Sequence, residues 1–254
     1  MSAPRRPILC AVLDGAALGP APRAAATSLF EAGVDWIQLR DRALEAAPLL
    51  ALARDLVAAR DAVRATTSDP ERRSGGAHPP RVLVNKRADV ALAAGADGVH
   101  LGVDALDARA VRSLVRTLAR PERPRIGASL HALAELEAIV ASGEPLDYVH
   151  LAPIWPPRSK PAERPPLGPG LLGLAARLAE RAGLLVFAQG GLDPARAAEA
   201  VSAGSAGIAV TGIVSQARDP ATAVRVLRAA LDEPPSAPEP GGAPASARRD
   251  TAAR

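Results

Sequence analysis

The chain has 254 residues, of which 48% are hydrophobic and only 2% aromatic. This length suits one barrel or two smaller domains, and with so few aromatic residues we expect a core of Ala, Val, Leu and Ile, as in parallel sheets and their covering helices. The net charge is +4, with basic residues spread among acidic ones. Without basic runs or aromatic stacking platforms, the composition argues against nucleic-acid binding.

Neither a signal peptide nor a membrane span is expected from the apolar segments. Ile8–Leu13 is apolar, but Asp14 ends it before it reaches either length. The single cysteine, Cys10, lies in this run, so no internal disulfide can form and a buried thiol is expected. The sequence predicts a cytoplasmic protein without membrane contacts, and it is compatible with a homo-oligomer.

Eight short apolar runs alternate with helical segments rich in Ala, Leu, Arg and Glu. The runs are Ile8–Leu13, Trp36–Leu39, Arg81–Val84, Gly98–Leu101, Arg125–Ala128, Tyr148–Leu151, Leu184–Ala188 and Gly207–Val210. Such alternation gives right-handed crossovers and a parallel sheet, and eight units favour closure over an open sheet. We therefore predict an α/β fold, a single (β/α)8 TIM barrel over residues 1–231.

Two segments depart from this pattern. Residues 66–80 are rich in Pro, Gly, Ser and charge and fall between the second helix and the third strand. This position predicts a mobile loop on the face opposite the active site. Residues 232–254 are rich in Pro, Ala, Gly, Ser and Arg without apolar periodicity, which predicts a disordered tail.

Lysine is rare in this chain, and both lysines follow strands. Of 31 basic residues only Lys86 and Lys160 are lysine. The carboxyl ends of barrel strands meet at one mouth, where such folds place their chemistry, and Lys86 follows Asn85 at the end of the third run. A compact ammonium suits a phosphate oxygen or a substrate carbonyl, whereas arginine offers a planar fork. The pattern indicates a role in binding, with chance as the alternative.

The chain resembles the thiamine phosphate synthase and TenI superfamily over about residues 8–231. The resemblance is carried by the order and spacing of IQLRDR (37–42), VNKRADVALAAGADGVHLG (84–102), GASLH (127–131), APIWPPRSKP (152–161), AQGGL (188–192) and AGSAGIAVTGI (203–213). It implies a barrel in which thiazole phosphate and, in the synthase, hydroxymethylpyrimidine diphosphate meet at the carboxyl mouth. Thiamine phosphate then forms when the thiazole nitrogen attacks and pyrophosphate leaves.

The resemblance also implies contacts to the pyrimidine diphosphate. Gln38 and Arg40 match residues that hold pyrimidine and diphosphate, and strand alternation puts both on one face. Arg42 stands where the family usually has Lys. A surface ion-pair run is the weaker alternative, because Gln38 inside an apolar strand needs a partner. Further matches are Asn85 and Ser129 for the pyrimidine and Lys160, assigned a catalytic role, for the diphosphate; a solvated loop is the alternative for Lys160.

For thiazole phosphate, the expected cradle is formed by the loops after strands seven and eight. Their candidate residues are Gly190, Gly191, Thr211 and Gly212. Glycine lets backbone N–H groups approach a phosphate, although a plain tight turn would also explain a glycine pair. The Thr-x-Thr contact of the family appears here as residues 157–159, so Ser159 supplies the one remaining hydroxyl.

The expected Mg²⁺ site lacks its usual ligands. The resemblance implies that Mg²⁺ is held by one Asp after the Asn of strand three and another after strand four, because the leaving diphosphate needs its developing negative charge neutralised by the metal. Here these positions are Lys86 and Ala105, so Asp104 would have to serve from one residue earlier. Direct neutralisation of the diphosphate by Lys86 is the metal-free alternative.

The missing acids leave two alternative functions beside the synthase. The TenI branch moves a double bond in a thiazole carboxylate phosphate, a proton transfer that needs a general acid/base such as histidine. His131 aligns with the family histidine, although synthases commonly carry it too and a helix-start residue without a catalytic role is the alternative. A non-catalytic protein that binds thiazole phosphate or thiamine phosphate is the third hypothesis. We favour the synthase because five residues together match a diphosphate site of the family. They are Gln38, Arg40, Asn85, Ser129 and Lys160.

Overall fold

The computed structural model describes residues 6–66, 78–102, 105–117, 123–156 and 164–233. Eight parallel strands close into a barrel in chain order. They are β1 (Ile8–Leu13), β2 (Trp36–Leu39), β3 (Arg81–Asn85), β4 (Gly98–Leu101), β5 (Arg125–Leu130), β6 (Tyr148–Leu151), β7 (Leu185–Gln189) and β8 (Gly207–Val210). Closure occurs where β1 pairs with β8, in a register that runs from Ile8 opposite Gly207 to Ala11 opposite Val210. The predicted (β/α)8 TIM barrel is confirmed.

Helices surround the barrel. In the described ranges they are α1 (Gly15–Leu18), α2 (Pro22–Ala32), α3 (Ala46–Thr66), α4 (Ala88–Ala94), α5 (Ala108–Thr117), α6 (Leu133–Ser142), α7 (Gly168–Arg181), α8 (Pro194–Ser202), α9 (Gly212–Ser215) and α10 (Pro220–Asp232). Over these ranges, no helix combines the length and apolar character that a membrane crossing needs. Residues 67–77 and 234–254 lie outside the described part, so the mobile loop and the disordered tail stay predictions.

Aspartate caps fix where several helices begin. Asp14, Asp193 and Asp219 precede α1, α8 and α10, and each side chain accepts a backbone N–H of the first turn. A proline follows the cap in α8 and α10. At this position an N–H group would have no acceptor within the helix, so proline costs no hydrogen bond there. These caps fix the residue at which each of the three helices begins.

The interior of the barrel combines three aromatic side chains with aliphatic ones such as Val12 and Leu83. Trp36, Tyr148 and Phe187 meet inside the barrel with ring centroids 5.0 to 5.7 Å apart. Gly127 makes room for them, because a Cβ at this position would lie 2.1 Å from the Tyr148 ring. The expected aliphatic core is found between the barrel and its helices instead. Cys10 is buried in the aromatic interior, as predicted.

Carboxylates with little solvent exposure repeat at the amino-terminal ends of β2, β4 and β6. Asp35, Asp97 and Asp147 directly precede β2, β4 and β6. Each accepts the N–H of a residue in the preceding odd-numbered strand and a bond from an arginine of a helix: Leu9 and Arg228 for Asp35, Val82 and Arg60 for Asp97, Ile126 and Arg112 for Asp147. We call these three groups the aspartate clamps. They tie each strand pair to a covering helix.

The fourth equivalent position has no carboxylate. Ala206 precedes β8 and donates its N–H to the Val186 carbonyl at 2.8 Å, just as Asp35 donates to Leu9 at 3.0 Å. The backbone hydrogen bond is therefore found before all four even-numbered strands, but only β2, β4 and β6 also have the carboxylate that forms an aspartate clamp.

Replacing Asp97 with Ala should destabilise the fold strongly. The change leaves Arg60, whose side chain is 8% exposed, without the acceptor that lies 2.7 Å away, and it also removes the acceptor for the Val82 N–H. Loss of one partner of a buried ion pair typically costs about 3–5 kcal/mol, which we expect as the fall in the free energy of unfolding in urea.

Asp61 provides the matched control for this prediction. It also pairs with Arg60, at 2.8 Å, but its side chain is 58% exposed. Asp61→Ala should therefore cost less than about 1 kcal/mol. Similar losses for the two variants would show that the clamp at Asp97 does not stabilise the barrel.

Candidate active site

The predicted site residues in the described part lie at the carboxyl ends of five strands. They are Gln38, Arg40 and Arg42 at β2, Asn85 and Lys86 at β3, Ser129 and His131 at β5, Gly190 and Gly191 at β7, and Thr211 and Gly212 at β8. Because all strands are parallel and the sheet is closed, these residues surround a single mouth. Asp104, Ser159 and Lys160 fall outside the described residues.

Two side-chain amides meet at the base of this mouth. The Gln38 Nε2 group donates to Asn85 Oδ1 at 3.2 Å, which joins β2 to β3 through their side chains. Gln38 is only 2% exposed, and its Oε1 atom has no hydrogen-bond donor within the described ranges. A buried acceptor of this kind is costly unless a donor reaches it. The pair therefore leaves one buried acceptor, Gln38 Oε1, without a donor in the part of the chain that the structure describes.

Arg40 brings a positive charge to the rim beside this pair. Its backbone N–H donates to the Leu13 carbonyl at 2.7 Å, which fixes the chain as it leaves β2. Partial burial and the neighbouring Arg42 lower the pKa of the Arg40 guanidinium, though it stays charged at any working pH. Both features favour a bound anion, because an anion would offset the burial and the like charge.

Asp41 positions the two arginines and was not predicted from the sequence. Its carboxylate accepts the N–H groups of Gly15 at 3.0 Å, Ala43 at 2.9 Å and Leu44 at 3.0 Å. These bonds tie the loop after β2 to the loop after β1 and lower the pKa of the Asp41 carboxyl despite its desolvation. The available signal was an aspartate in a loop just before a helix, a position where it commonly bonds to nearby backbone.

Lys86 has an unusual backbone conformation. Its φ of 63° lies in the left-handed region, which non-glycine residues seldom adopt and which often marks functional sites. The Lys86 N–H donates to the His100 carbonyl at 2.8 Å, so this turn is anchored to β4. The structure thus places Lys86 at the mouth next to Asn85, as the sequence predicted.

The described residues do not fit a Mg²⁺ site of the expected kind. Lys86 carries a cation where a carboxylate is expected, and Ala105 has no ligand atom. Within the described ranges, no group of three or more His, Cys, Asp or Glu side chains could hold a metal ion. Asp104 lies outside those ranges, so its assignment as a ligand stays a prediction.

A polar chain runs from the mouth into the aromatic interior. His100 Nε2 lies 2.8 Å from the Ser129 hydroxyl, and its Nδ1 lies 3.2 Å from the Tyr148 hydroxyl. Burial, with a contribution from Arg40, lowers the pKa of His100 to about 3. Burial and the adjacent His100 also lower the pKa of His150 well below its usual value. Both rings are therefore neutral at physiological pH, and His100 orients the Ser129 hydroxyl without adding charge.

The His131 ring is held in one tautomer. Its Nδ1 atom lies 2.7 Å from the Ala152 carbonyl oxygen, which can only accept, so Nδ1 carries the proton. The His131 backbone N–H donates to Glu135 Oε2 at 2.6 Å and fixes the start of α6. In the neutral ring Nε2 is then the proton acceptor, the state that a general base requires.

The glycines after β7 are needed for packing as well as for conformation. Gly190 and Gly191 have φ values of 94° and 65°. A Cβ at Gly190 would lie 2.8 Å from Pro153 Cβ, and one at Gly191 would lie 2.4 Å from the Pro156 carbonyl oxygen. A tight, closely packed turn therefore explains both glycines, and binding of phosphate there stays a prediction.

Comparison with known proteins places the chain in a family. The profile described as "Thiamine monophosphate synthase" matches residues 72–214. The thiamine-phosphate synthase of Mycobacterium sp. (strain JLS) is 39% identical over 211 residues, which cover 81% of this chain and 84% of that protein. The chain belongs to the thiamine monophosphate synthase family. Another relative is the putative thiamine-phosphate synthase of Geobacter sulfurreducens, 36% identical over 88% of this chain and 87% of its own length.

Solved structures agree with the fold of this family. The thiamine phosphate pyrophosphorylase from Pyrococcus furiosus superposes with a TM-score of 0.68, at 24% identity, over 89% of this chain and 96% of that one. A 3-hexulose-6-phosphate synthase also superposes, with a TM-score of 0.54 at 21% identity over 88% of this chain and 99% of that one. At such identities the likeness shows the barrel alone, since barrels host many reactions.

The buried histidines predict a loss of stability in mild acid. In the unfolded chain His100 and His150 bind protons near pH 6.5, whereas in the folded protein the pKa of His100 is about 3 and that of His150 is also lowered. The unfolded state then holds more protons below pH 6.5, so the free energy of unfolding falls as the pH falls, by up to about 1.4 kcal/mol per pH unit for each histidine.

Urea unfolding at pH 7, 6 and 5 measures this slope. His100→Asn removes one titrating ring while keeping a side chain that can bond to Ser129. The change in the free energy of unfolding with pH should therefore decrease by up to about 1.4 kcal/mol per pH unit. An unchanged slope in His100→Asn would contradict the neutral, buried state assigned to this ring.

Proposed function

We propose that this protein is a thiamine phosphate synthase that joins hydroxymethylpyrimidine diphosphate to thiazole phosphate. The thiazole nitrogen forms a bond to the pyrimidine methylene carbon as the carbon–oxygen bond to the diphosphate breaks, and pyrophosphate leaves with the electron pair. The observation that carries the proposal is the Gln38–Asn85 amide pair beside Arg40 at the carboxyl mouth. The family relationship supports the same reaction.

Each group at the mouth has a part in this proposal. The buried Gln38 Oε1 accepts an N–H of the aminopyrimidine, because it otherwise lacks a donor within the described ranges. Arg40 and Arg42 hold the diphosphate, since guanidinium groups match phosphate oxygens in pairs. The Ser129 hydroxyl, oriented by His100 at 2.8 Å, contacts the pyrimidine. The loops after β7 and β8 receive the thiazole phosphate.

Lys86 supplies positive charge to the leaving diphosphate in this proposal. A developing pyrophosphate needs its negative charge stabilised in the transition state, and a preorganised cation does this without rearrangement. Lys86 stands at one position where the family resemblance implies a Mg²⁺ ligand, and its left-handed turn is anchored to β4. The reaction is therefore proposed to need less Mg²⁺ than a carboxylate site would.

Purified full-length protein should release pyrophosphate and form thiamine phosphate when given both substrates. The reaction is measured with Mg²⁺ and with a chelator in its place. We expect product in both conditions, because Lys86 neutralises the diphosphate directly. Product only with Mg²⁺ would establish the synthase, reject the metal-free role of Lys86 and make Asp104 the next residue to change.

Two other outcomes would reject the synthase. If no thiamine phosphate forms but the thiazole carboxylate phosphate tautomer is consumed when it is supplied in place of thiazole phosphate, the protein is a tautomerase. The protonated Nδ1 of His131, 2.7 Å from the Ala152 carbonyl, favours this second candidate because it leaves Nε2 as a base. In that case His131→Asn should abolish turnover. If neither substrate changes, the protein binds its ligand without catalysis.

Variants at Lys86 test its role in the synthase. Lys86→Asn removes the charge but keeps a residue type that tolerates the left-handed backbone, so kcat/KM in the absence of Mg²⁺ should fall about 100-fold, which corresponds to about 2.7 kcal/mol. Lys86→Asp restores a carboxylate in the same turn and should make the activity dependent on Mg²⁺.

Lys86→Arg is the charge-preserving control. It should retain most of the activity without metal if positive charge is what the site needs. If Asn and Arg variants lose activity equally, or if Lys86→Asn has wild-type kinetics without metal, Lys86 does not stabilise the leaving group.

A further inference from the structure

The polar chain beneath the mouth has one end buried and one end open. Tyr148 is 0% exposed and His100 is 2% exposed, whereas Ser129 is exposed at the mouth. Tyr148 is also the only tyrosine of the protein. The His100 ring therefore joins a hydroxyl that is out of contact with solvent to a hydroxyl that a substrate can reach.

The His100 ring can share protons with these two hydroxyls in two ways. Burial lowers the pKa of His100 to about 3, so the ring is neutral and carries one N–H group. In the first arrangement, Tyr148 donates to Nδ1 and the Nε2–H group donates to the Ser129 oxygen. In the second, the Nδ1–H group donates to the Tyr148 oxygen and Ser129 donates to Nε2. The distances of 3.2 Å at Nδ1 and 2.8 Å at Nε2 suit both arrangements.

The buried end determines which arrangement forms. Over the described ranges, the Tyr148 hydroxyl is hydrogen-bonded to His100 and has no second acceptor. The nearby His150 ring, whose centroid lies 5.4 Å from that of Tyr148, makes no hydrogen bond in this part of the chain. The second arrangement would leave the Tyr148 proton buried without an acceptor, a cost that favours the first by roughly tenfold or more. Ser129 is under no such restriction, because its proton can reach solvent or a ligand.

We propose that Tyr148 is a positioning residue that holds His100 in the Nε2–H tautomer and thereby makes Ser129 a hydrogen-bond donor to the substrate. Because the Ser129 oxygen already accepts the His100 proton, the hydroxyl turns its own proton toward the mouth. The substrate group that it meets must then be an acceptor.

A ring nitrogen of the pyrimidine is the acceptor that fits this donor. The other polar group of the ring, its amino group, is a donor and goes to the buried Gln38 Oε1 atom instead. The identity of the substrate rests on the proposed function, whereas the tautomer of His100 is a property of the protein alone. The two can therefore be tested separately.

Nitrogen NMR of the full-length protein with isotope-labelled histidine measures the tautomer directly. The His100 signals are identified by their absence from the spectrum of His100→Asn. We expect a protonated Nε2 and an unprotonated Nδ1. Raman spectra should also show that the single tyrosine donates its proton, because the intensities of its ring doublet respond to the direction of this hydrogen bond. A protonated Nδ1 beside an accepting phenol would overturn the proposal, whether or not the protein is a synthase.

Tyr148→Phe removes the donor hydroxyl and keeps the ring. Neither tautomer then leaves a phenol proton unpaired, so a protonated Nδ1 should become detectable in a share of the molecules. In a protein with synthase activity, kcat/KM should fall in proportion to the lost Nε2–H population, about twofold if both tautomers become equally populated. A spectrum of Tyr148→Phe with protonated Nε2 alone would show that the phenol does not set the tautomer.

Phe187→Leu is the control for packing. Its ring lies 5.7 Å from that of Tyr148, between centroids, and it has no polar atom. Removal of this ring disturbs the same interior but leaves the phenol in place, so His100 should keep the Nε2–H tautomer. The same spectral change in Phe187→Leu and Tyr148→Phe would attribute the tautomer to packing and contradict the role of the hydroxyl.

Substrate analogues test the donor role of Ser129. In each of two pyridine analogues one ring nitrogen is replaced by C–H, and for one of them kcat/KM should fall about tenfold in the wild type but not in Ser129→Ala. An analogue without the amino group should lose a similar factor in both proteins, because its partner is Gln38. If only the loss of the amino group depends on Ser129, or if no loss does, Ser129 is not the proposed donor. Absence of turnover with the parent substrate would reject the synthase and leave the tautomer to the spectra.

Discussion

The hydrogen-bonded ion pairs at the amino-terminal ends of β2, β4 and β6 hold the barrel and three of its helices together. In each aspartate clamp one carboxylate joins a strand N–H to a helix arginine, so a covering helix cannot slide without breaking a buried charge pair. Because the aspartate clamps lie at the amino-terminal end of the barrel, the loops at the carboxyl end do not have to hold the helices in place. The division lets the carboxyl mouth carry strained and charged residues, such as Lys86 in its left-handed turn, without loss of the fold.

The mouth combines a neutral interior with a cationic rim. His100 and Tyr148 lie beneath Ser129 as uncharged hydrogen-bonding groups, and burial keeps the pKa of His100 at about 3. Arg40 and Lys86 stand at the edge, where phosphate oxygens of a substrate would arrive. In the described part of the mouth, charge is thus confined to the rim. This order suits a substrate with a flat polar ring and a charged tail.

The sequence predicts the barrel well because strand periodicity and loop order are local signals. Its strand bounds agree with the structure to within about two residues, and Gln38, Asn85 and Ser129 are found at the mouth as predicted. What the sequence misses depends on contacts between distant segments. The aromatic interior needs Gly127 opposite Tyr148, and Asp41 acts on a loop 26 residues away. Neither contact produces a repeating pattern in the amino-acid sequence from which it could be predicted.

After β6 and β7, the segments 153–156 and 190–191 pack tightly against each other. Gly190 and Gly191 fit directly against Pro153 and Pro156, and Trp155 donates its N–H to the Gly190 carbonyl at 3.3 Å. A side chain at Gly190 or Gly191 would displace the segment that follows β6. Substitutions in these two loops are therefore constrained jointly in evolution, and a loop transplanted from a relative will be accepted only together with its neighbour.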